Sequence, residues 1–202
     1  MTIVNIFIDF GGVIVRTEDK TPRAKAAERL GLTTRELEKI IFESESSQKA
    51  SRGEIPEEAH WQAVSEALRL SRAEADKVTA EFFAGDRIDQ ALLATLRQAR
   101  PERKVCLISN AWSGLRAWIT AQGFADAFDH MVISAEIGLM KPEERIYRLA
   151  LEEINARPEE SVFIDDVLAN VEGARSVGMT GIHFTQPDQG LEELKKLTDH
   201  HR

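Results

Sequence analysis

Five short apolar runs punctuate the chain, at residues 3–8, 105–108, 131–133, 162–164 and 181–184. Each is too short for a buried helix and nearly continuous in apolar character, which is the pattern of a strand covered on both faces. After the first run they alternate with stretches of helical period, such as 146–154 and 171–176. That alternation predicts an α/β fold: a mostly parallel, Rossmann-like sheet with helices on both faces.

Between residues 16 and 85 the strand pattern stops. Residues 23–30, 34–42, 56–70 and 72–83 all carry helical period. Thr33 or Thr34 is a candidate N-cap with Glu36 and Glu38 in the first turn, and Ser71 followed by Glu74 matches a capping box. Pro56 suits the first turn of a helix. The expectation is a small four-helix cap inserted after the first strand, with residues 17–84 forming the cap and residues 1–16 and 85–202 the catalytic core. The least helical part of the insert is 45–54. Pro101 marks a surface turn, and 199–202 reads as a frayed tail. No repeat or low-complexity tract interrupts the pattern.

Composition narrows the function classes. With 202 residues, 43% of them hydrophobic, the chain can bury a sizeable core in one or two domains. The net charge of −8 argues against nucleic acid or an anionic membrane as partner, since both need a basic face. It leaves room for a local basic pocket. The single cysteine, Cys106, lies inside an apolar run, so no intrachain disulfide forms and a buried small hydrophobe is expected. The N-terminus lacks a basic leader and is interrupted by Asn5 and Asp9, which fits neither a signal peptide nor a membrane span. A cytoplasmic, reducing setting and a monomer or homodimer are the expectations.

The candidate chemistry lies where these runs end. The first closes on Asp9, followed at once by Phe10-Gly11-Gly12-Val13. An unpaired buried carboxylate is costly, and glycines let backbone turn sharply near a ligand. Asp9 is therefore either part of an ordinary turn or a group held out at the carboxyl end of a strand, where open α/β sheets bind ligands. The run at 105–108 ends in Ser109-Asn110, which fits a helix cap or an anion site. The run at 131–133 leads on to Lys141-Pro142-Glu143. The run at 162–164 ends in Asp165-Asp166, with Asn170 four residues on; adjacent carboxylates repel and call for a cation or a proton. Together the four segments fit one site. Asp9 and Asp166 would hold Mg²⁺ with a backbone carbonyl and water, Ser109 and Asn110 would receive phosphoryl oxygens, and Lys141 would offset the negative charge.

In order, Asp9-Phe10-Gly11-Gly12-Val13, Leu107-Ile108-Ser109-Asn110, Lys141-Pro142-Glu143 and Ile164-Asp165-Asp166 with Asn170 resemble the four motifs of the haloacid dehalogenase-like hydrolase superfamily. The resemblance spans nearly the whole chain, and the insert lies where that family places a helical cap. It implies an aspartyl-phosphate mechanism with Asp9 as nucleophile, with Ser109 and Lys141 binding phosphate and steadying Asp9. It also implies Asp166 as a direct metal ligand, Asp165 as a direct or water-mediated one, and the Gly11 carbonyl as a further ligand. Within the superfamily the wording is most similar to small sugar-phosphate phosphatases and to the phosphatase domain of soluble epoxide hydrolases, so the expected substrate is a small phosphorylated metabolite.

One position departs from that pattern. Most phosphatases of the family carry a second aspartate two residues after the nucleophile, which protonates the leaving group; here that residue is Gly11. A cap residue, a metal-bound water or an undemanding leaving group would have to replace it. Two other readings remain: a metal-independent 2-haloacid dehalogenase, against which Asp165-Asp166 argues, and a weakly catalytic phosphate-binding or regulatory protein. For substrate contacts the candidates are Gln48, Lys49 and Arg52 in the polar part of the insert, and Trp112 just after Ser109-Asn110. Trp61, Trp118, His60 and His183 are expected to be structural.

Overall fold

The computed structural model describes residues 3–186 together with Glu192, Leu194 and Lys196; the tail at 199–202 lies outside the described residues. In chain order the elements are β1 (Asn5–Ile8), β2 (Val15–Thr17), α1 (Thr21–Arg29), α2 (Thr34–Glu38), a π-helical turn (Lys39–Glu43), α3 (Glu45–Ser51), α4 (Glu57–Ala67), α5 (Arg72–Phe83) and β3 (Asp86–Ile88). They continue with α6 (Gln90–Ala99), β4 (Lys104–Ser109), α7 (Leu115–Ala121), β5 (His130–Ile133), α8 (Ser134–Ile137), α9 (Glu144–Glu153), β6 (Ser161–Asp165), α10 (Leu168–Ser176) and β7 (Thr180–His183).

All five apolar runs become strands of one parallel sheet in the order β5-β4-β1-β6-β7. Alternate residues serve opposite faces, as the two-residue period of a strand requires. Ile6, Ile8, Val105, Leu107, Val162 and Ile164 pack against Leu92, Leu93 and Leu96 of α6 and Ile119 of α7. Phe7, Cys106, Ile108 and Phe163 point the other way, onto Ile146, Tyr147, Ala150 and Leu151 of α9 and Ala174 of α10. Each such side chain withdrawn from water contributes about 1.5–3 kcal/mol, so the two layers fix β1 firmly at the centre. From β1 the chain goes on to β4 and β5 on one side and returns to β6 and β7 on the other. β1 therefore ends at the point where the winding changes direction, the usual place for a ligand in an open α/β sheet.

The insert is helical, with two differences from expectation. Residues 45–54 are not an open loop, because Glu45–Ser51 forms α3. Ser44 caps it by accepting from the Ser47 N–H, and Ser47, Ala50 and Ser51 are buried, so small residues rather than large apolar ones anchor this helix. The insert thus holds a fifth short helix beyond the four expected. The stretch from residue 16 is also not free of strand: Val15–Thr17 pairs antiparallel with Asp86–Ile88. This two-stranded ribbon ties together the two ends of the insert. The Thr33–Glu36 and Ser71–Glu74 capping boxes both form, while Pro56 sits at the N-cap of α4, one residue before the first turn. Among the described residues no helix is long and apolar enough to cross a membrane.

Candidate active site

Asp9 leaves the end of β1 with its backbone N–H still donating to the Ile164 carbonyl, 2.9 Å away, so β6 holds it in line with the sheet. Its side chain is buried. Lys141 reaches in from the loop after α8 and places Nζ 2.6 Å from Asp9 Oδ1 and 2.6 Å from Asp165 Oδ2. Asp165, at the end of β6, is wholly enclosed. Its Oδ1 accepts from the Val167 N–H at 2.8 Å, and both its oxygens accept from Asn170 Nδ2 at 3.1 Å. Tyr147 fixes that end of α10 by donating its hydroxyl to the Asn170 carbonyl, 2.7 Å away. Asp165 is thus an anchor for Lys141 with its lone pairs taken up.

Asp166 is different: it is exposed, and its carboxylate lies directly over Gly12. A Cβ built on Gly12 would overlap that carboxylate, with even the farther oxygen only 2.7 Å away, and Gly12 also has φ +80°. The glycine is what lets the motif-one loop pass beneath Asp166. Gly11, one residue earlier, is exposed, and a Cβ there would meet nothing within 4 Å.

Three carboxylates against one ammonium leave an excess of negative charge. Burial, joined by the Asp165 charge, pushes the Asp9 carboxyl up from 3.8 to about 7 in spite of the pull of Lys141. Desolvation, followed by repulsion from Asp165, raises Asp166 as well. Both shifts say that the metal-free site prefers a proton or a cation. One carboxylate oxygen each from Asp9, Asp165 and Asp166 lie within 4.8 Å of one another. That all-oxygen donor set suits a hard divalent cation such as Mg²⁺.

Ser109 is buried at the end of β4, one strand over from Asp9. Asn110 does something the sequence did not signal. Its Oδ1 accepts from the Lys141 N–H at 2.8 Å and its Nδ2 donates to the Lys141 carbonyl at 2.9 Å. The side chain therefore clamps the backbone that carries the lysine. Ser134, also unforeseen, binds the next residue in the same way, with Oγ 3.0 Å from the Ala111 nitrogen and 3.2 Å from its oxygen.

The proposed substrate contacts all fall on or against the insert. Gln48 and Lys49 are exposed on α3, and Lys49 pairs with Glu45 at 2.7 Å. Arg52 spans to the sheet domain, 2.9 Å from Glu143, two residues after Lys141. Beside it Gly53, at φ +68°, lies so close to the Ala135 carbonyl that a Cβ would overlap its oxygen. Trp112 is half-buried, stacked on Phe42 with ring planes 19° apart and packed against His60 and Trp61. Its Nε1 lies 3.4 Å from Ser47 Oγ. It completes the apolar centre of the insert. Glu57 makes a second tie, accepting from the Gly114 N–H at 2.8 Å and from Trp61 Nε1 at 3.1 Å. Neither tie was visible in the sequence: Glu57 reads as a solvated acid at the start of a helix, and Glu143 belongs to the Lys141-Pro142-Glu143 segment, which names no partner in the insert.

His60 is structural, as expected: it is fully buried, with Nδ1 2.9 Å from Ser46 Oγ and Nε2 lacking a well-aligned partner. His183 touches the site from outside, its Nε2 3.0 Å from the Asp166 carbonyl. Cys106 is buried, and burial raises its thiol far out of the reactive range.

Known proteins resemble this chain in sequence and fold. The chain is 33% identical over 113 residues to bifunctional epoxide hydrolase 2 of Sus scrofa, a match covering 53% of this chain. It spans only 20% of the length of that protein, and 18% of its counterparts in Rattus norvegicus and Mus musculus. It is 26% identical over 209 residues to the D-ribitol-5-phosphate phosphatase of Bacteroides thetaiotaomicron, covering 97% of both chains. A HAD-family enzyme of Bacteroides thetaiotaomicron, solved with magnesium and inorganic phosphate, has the same fold, with a TM-score of 0.75 at 22% identity over 89% of this chain and 93% of that one. The model of the haloacid dehalogenase-like hydrolases matches residues 3–178. The chain belongs to the haloacid dehalogenase-like hydrolase family.

Proposed function

We propose that this protein is a Mg²⁺-dependent phosphatase that hydrolyses a small phosphomonoester, such as a sugar phosphate, through an aspartyl-phosphate on Asp9. The observation that carries the proposal is the position of Lys141, shared at 2.6 Å between Asp9 and Asp165 while the Asp166 carboxylate stays free beside them. Asp165 is spent holding Lys141, so Asp9, Asp166 and the Gly11 carbonyl are left to hold the cation, with Asp165 behind them. When bound, Mg²⁺ would neutralise the excess carboxylate charge and polarise a phosphoryl oxygen. Relatives named as phosphatases support this reading.

The chain's own residues then divide the work. One oxygen of Asp9 would hold the cation while the other attacks phosphorus, and Lys141, bonded to Oδ1, favours the ionised carboxylate together with that cation. Ser109 and the neighbouring backbone N–H groups at the end of β4 receive phosphoryl oxygens. Asn110 belongs to the same phosphate-binding segment, and its clamp on both backbone groups of Lys141 keeps the ammonium in register with Asp9. Residues 17–84 act as the cap that selects the rest of the substrate through Gln48, Lys49 and Arg52, with Trp112 of the sheet domain packed against it.

A metal-independent dehalogenase would have no use for the Asp166 carboxylate beside Asp9 and Asp165, a cluster that calls for a proton or a cation. The test is release of inorganic phosphate from p-nitrophenyl phosphate or acetyl phosphate. Release that requires Mg²⁺ and disappears in Asp9→Asn is expected. Chloride release from 2-chloropropionate in the presence of a chelator, with no phosphate release, would overturn the proposal.

A further inference from the structure

We infer that the substrate carries its phosphate on an oxygen that departs as a stabilised anion, namely a carboxyl or hemiacetal oxygen, as in an acyl phosphate or an anomeric sugar phosphate. The inference rests on the phosphatase reading and narrows its substrate class. It comes from an inventory of proton donors around Asp9. Asp9 itself is the nucleophile. Asp165 is enclosed, with its oxygens engaged by Lys141, Val167 and Asn170. Lys141 is held between two carboxylates. Tyr147 is buried and gives its proton to the Asn170 carbonyl. His183 lies on β7, two strands from β1, and is bonded to the Asp166 carbonyl. His60 is sealed inside the insert against Trp61 and Trp112. Among the described residues none of these offers a free donor to a leaving oxygen opposite Asp9.

On the insert the charged substrate candidates Lys49 and Arg52 are each paired with a carboxylate. The insert is already seated on the sheet domain at three places: Gly53 on Ala135, Glu57 on Gly114 and Arg52 on Glu143. The acidic group nearest Lys141 in sequence, Glu143, is committed to Arg52.

Gly11 sharpens the point. Packing does not demand glycine there, since a Cβ would meet nothing within 4 Å and the positive φ of the loop falls on Gly12 instead. The fold leaves space for a donor-bearing side chain two residues after Asp9, and the sequence does not use it. A positioned general acid is worth roughly 10²- to 10⁴-fold in rate. Without one, an alkoxide is a poor leaving group, whereas a carboxylate departs unaided. In the first step an Asp9 oxygen forms a bond to phosphorus, the bond from phosphorus to the leaving oxygen breaks, and its electron pair departs with that oxygen, as a carboxylate that needs no proton or as a hemiacetal oxyanion that takes its proton from solvent after it leaves. In the second, water oxygen bonds to phosphorus, the acyl-phosphate bond from Asp9 to phosphorus breaks, its pair returns to the Asp9 carboxylate, and both water protons leave with the phosphate, released as dihydrogen phosphate.

The test compares kcat/KM, with Mg²⁺, for acetyl phosphate and glucose 1-phosphate against glucose 6-phosphate and glycerol 3-phosphate. At least one of the first two should exceed both alkyl esters by about 10²-fold or more. Which of the two leads separates the carboxyl source from the hemiacetal source. Gly11→Asp should raise the ratio of alkyl-ester to acetyl phosphate kcat/KM by about 10²-fold. Equal turnover of the alkyl esters and the activated pair by the wild type would overturn the inference. So would an unchanged ratio in a Gly11→Asp protein that melts at the wild-type temperature; if the variant misfolds, the wild-type comparison alone decides. Failure of the phosphatase reading itself looks different: no phosphate from any of the four compounds, or release that persists in Asp9→Asn.

Discussion

Replacing Gly12 by alanine should damage the protein, and replacing its neighbour Gly11 should not. Gly12 has φ +80°, where an L-residue carries about 1–2 kcal/mol of strain. Its new methyl would also overlap the Asp166 carboxylate, which must swing aside. Taking about 2 kcal/mol in total, and 2–4 °C per kcal/mol for a chain of this size, Gly12→Ala should lower the melting temperature by about 4–8 °C. Displacing Asp166 should also raise the Mg²⁺ concentration needed for half-maximal phosphate release by about tenfold. Gly11→Ala has open space around its Cβ and should stay within about 0.5 kcal/mol of the wild type. Thermal melts in chelator and in Mg²⁺, with a Mg²⁺ titration of phosphate release, measure both effects. If Gly12→Ala melted and responded to Mg²⁺ like the wild type, or if Gly11→Ala were equally damaging, the account of the loop beneath Asp166 would be wrong.

Other outcomes follow from the same geometry. In the metal-free protein the Asp9 carboxyl is raised from 3.8 to about 7, so the folded state binds more protons than the unfolded one between those values. Its contribution to stability is present at low pH and is lost as pH rises through about 7. The melting temperature of wild type relative to Asp9→Asn should therefore fall across that window in chelator; a rise would refute it. His60 has the opposite sign, because burial lowers its ring below the usual 6.5. Its contribution is present above that pH and is lost on acidification through the lowered value, so a difference in melting temperature between wild type and His60→Gln that stayed constant from pH 8 to pH 5 would contradict the buried neutral ring. Trp112→Ala should destabilise the chain by about 3 kcal/mol and raise KM more than it lowers kcat, and Trp112→Phe should recover most of the stability. A Trp112→Ala protein with unchanged melting temperature and KM would show that the indole does not pin the insert.

The sheet could be read from the chain because its strands are buried on both faces and leave continuous apolar runs. The carboxylates could be read because each closes such a run. The ribbon could not: Val15-Arg16-Thr17 and Asp86-Arg87-Ile88 are three residues each and mostly polar, so the pairing is set by the convergence of the insert's ends rather than by a local pattern. α3 hid in a polar stretch because its buried side is made of Ser47, Ala50 and Ser51. The grouping of Asp9, Ser109, Lys141 and Asp165-Asp166 was visible as spacing, but the division of labour within it was not. That Asp165 is saturated, that Asn110 grips the Lys141 backbone and that Trp112 completes the insert's apolar centre all depend on contacts 24 to 65 residues apart in sequence.

The β2–β3 ribbon has a consequence for how such a protein changes over time. It brings the two ends of a sixty-odd-residue insertion side by side, so the chain enters and leaves the insertion through one short paired stem. Closing a long loop adds little entropy penalty beyond a short one, and nothing in the register of β1 with β4 or β6 depends on what the stem carries. Lengthening, shuffling or wholly replacing the helices beyond Thr17 would leave Asp9 and Lys141 where they are. The molecule is thus arranged like a socket with an exchangeable fitting, in which new substrates can be explored at one end of the ribbon while the chemistry at the other is inherited unchanged.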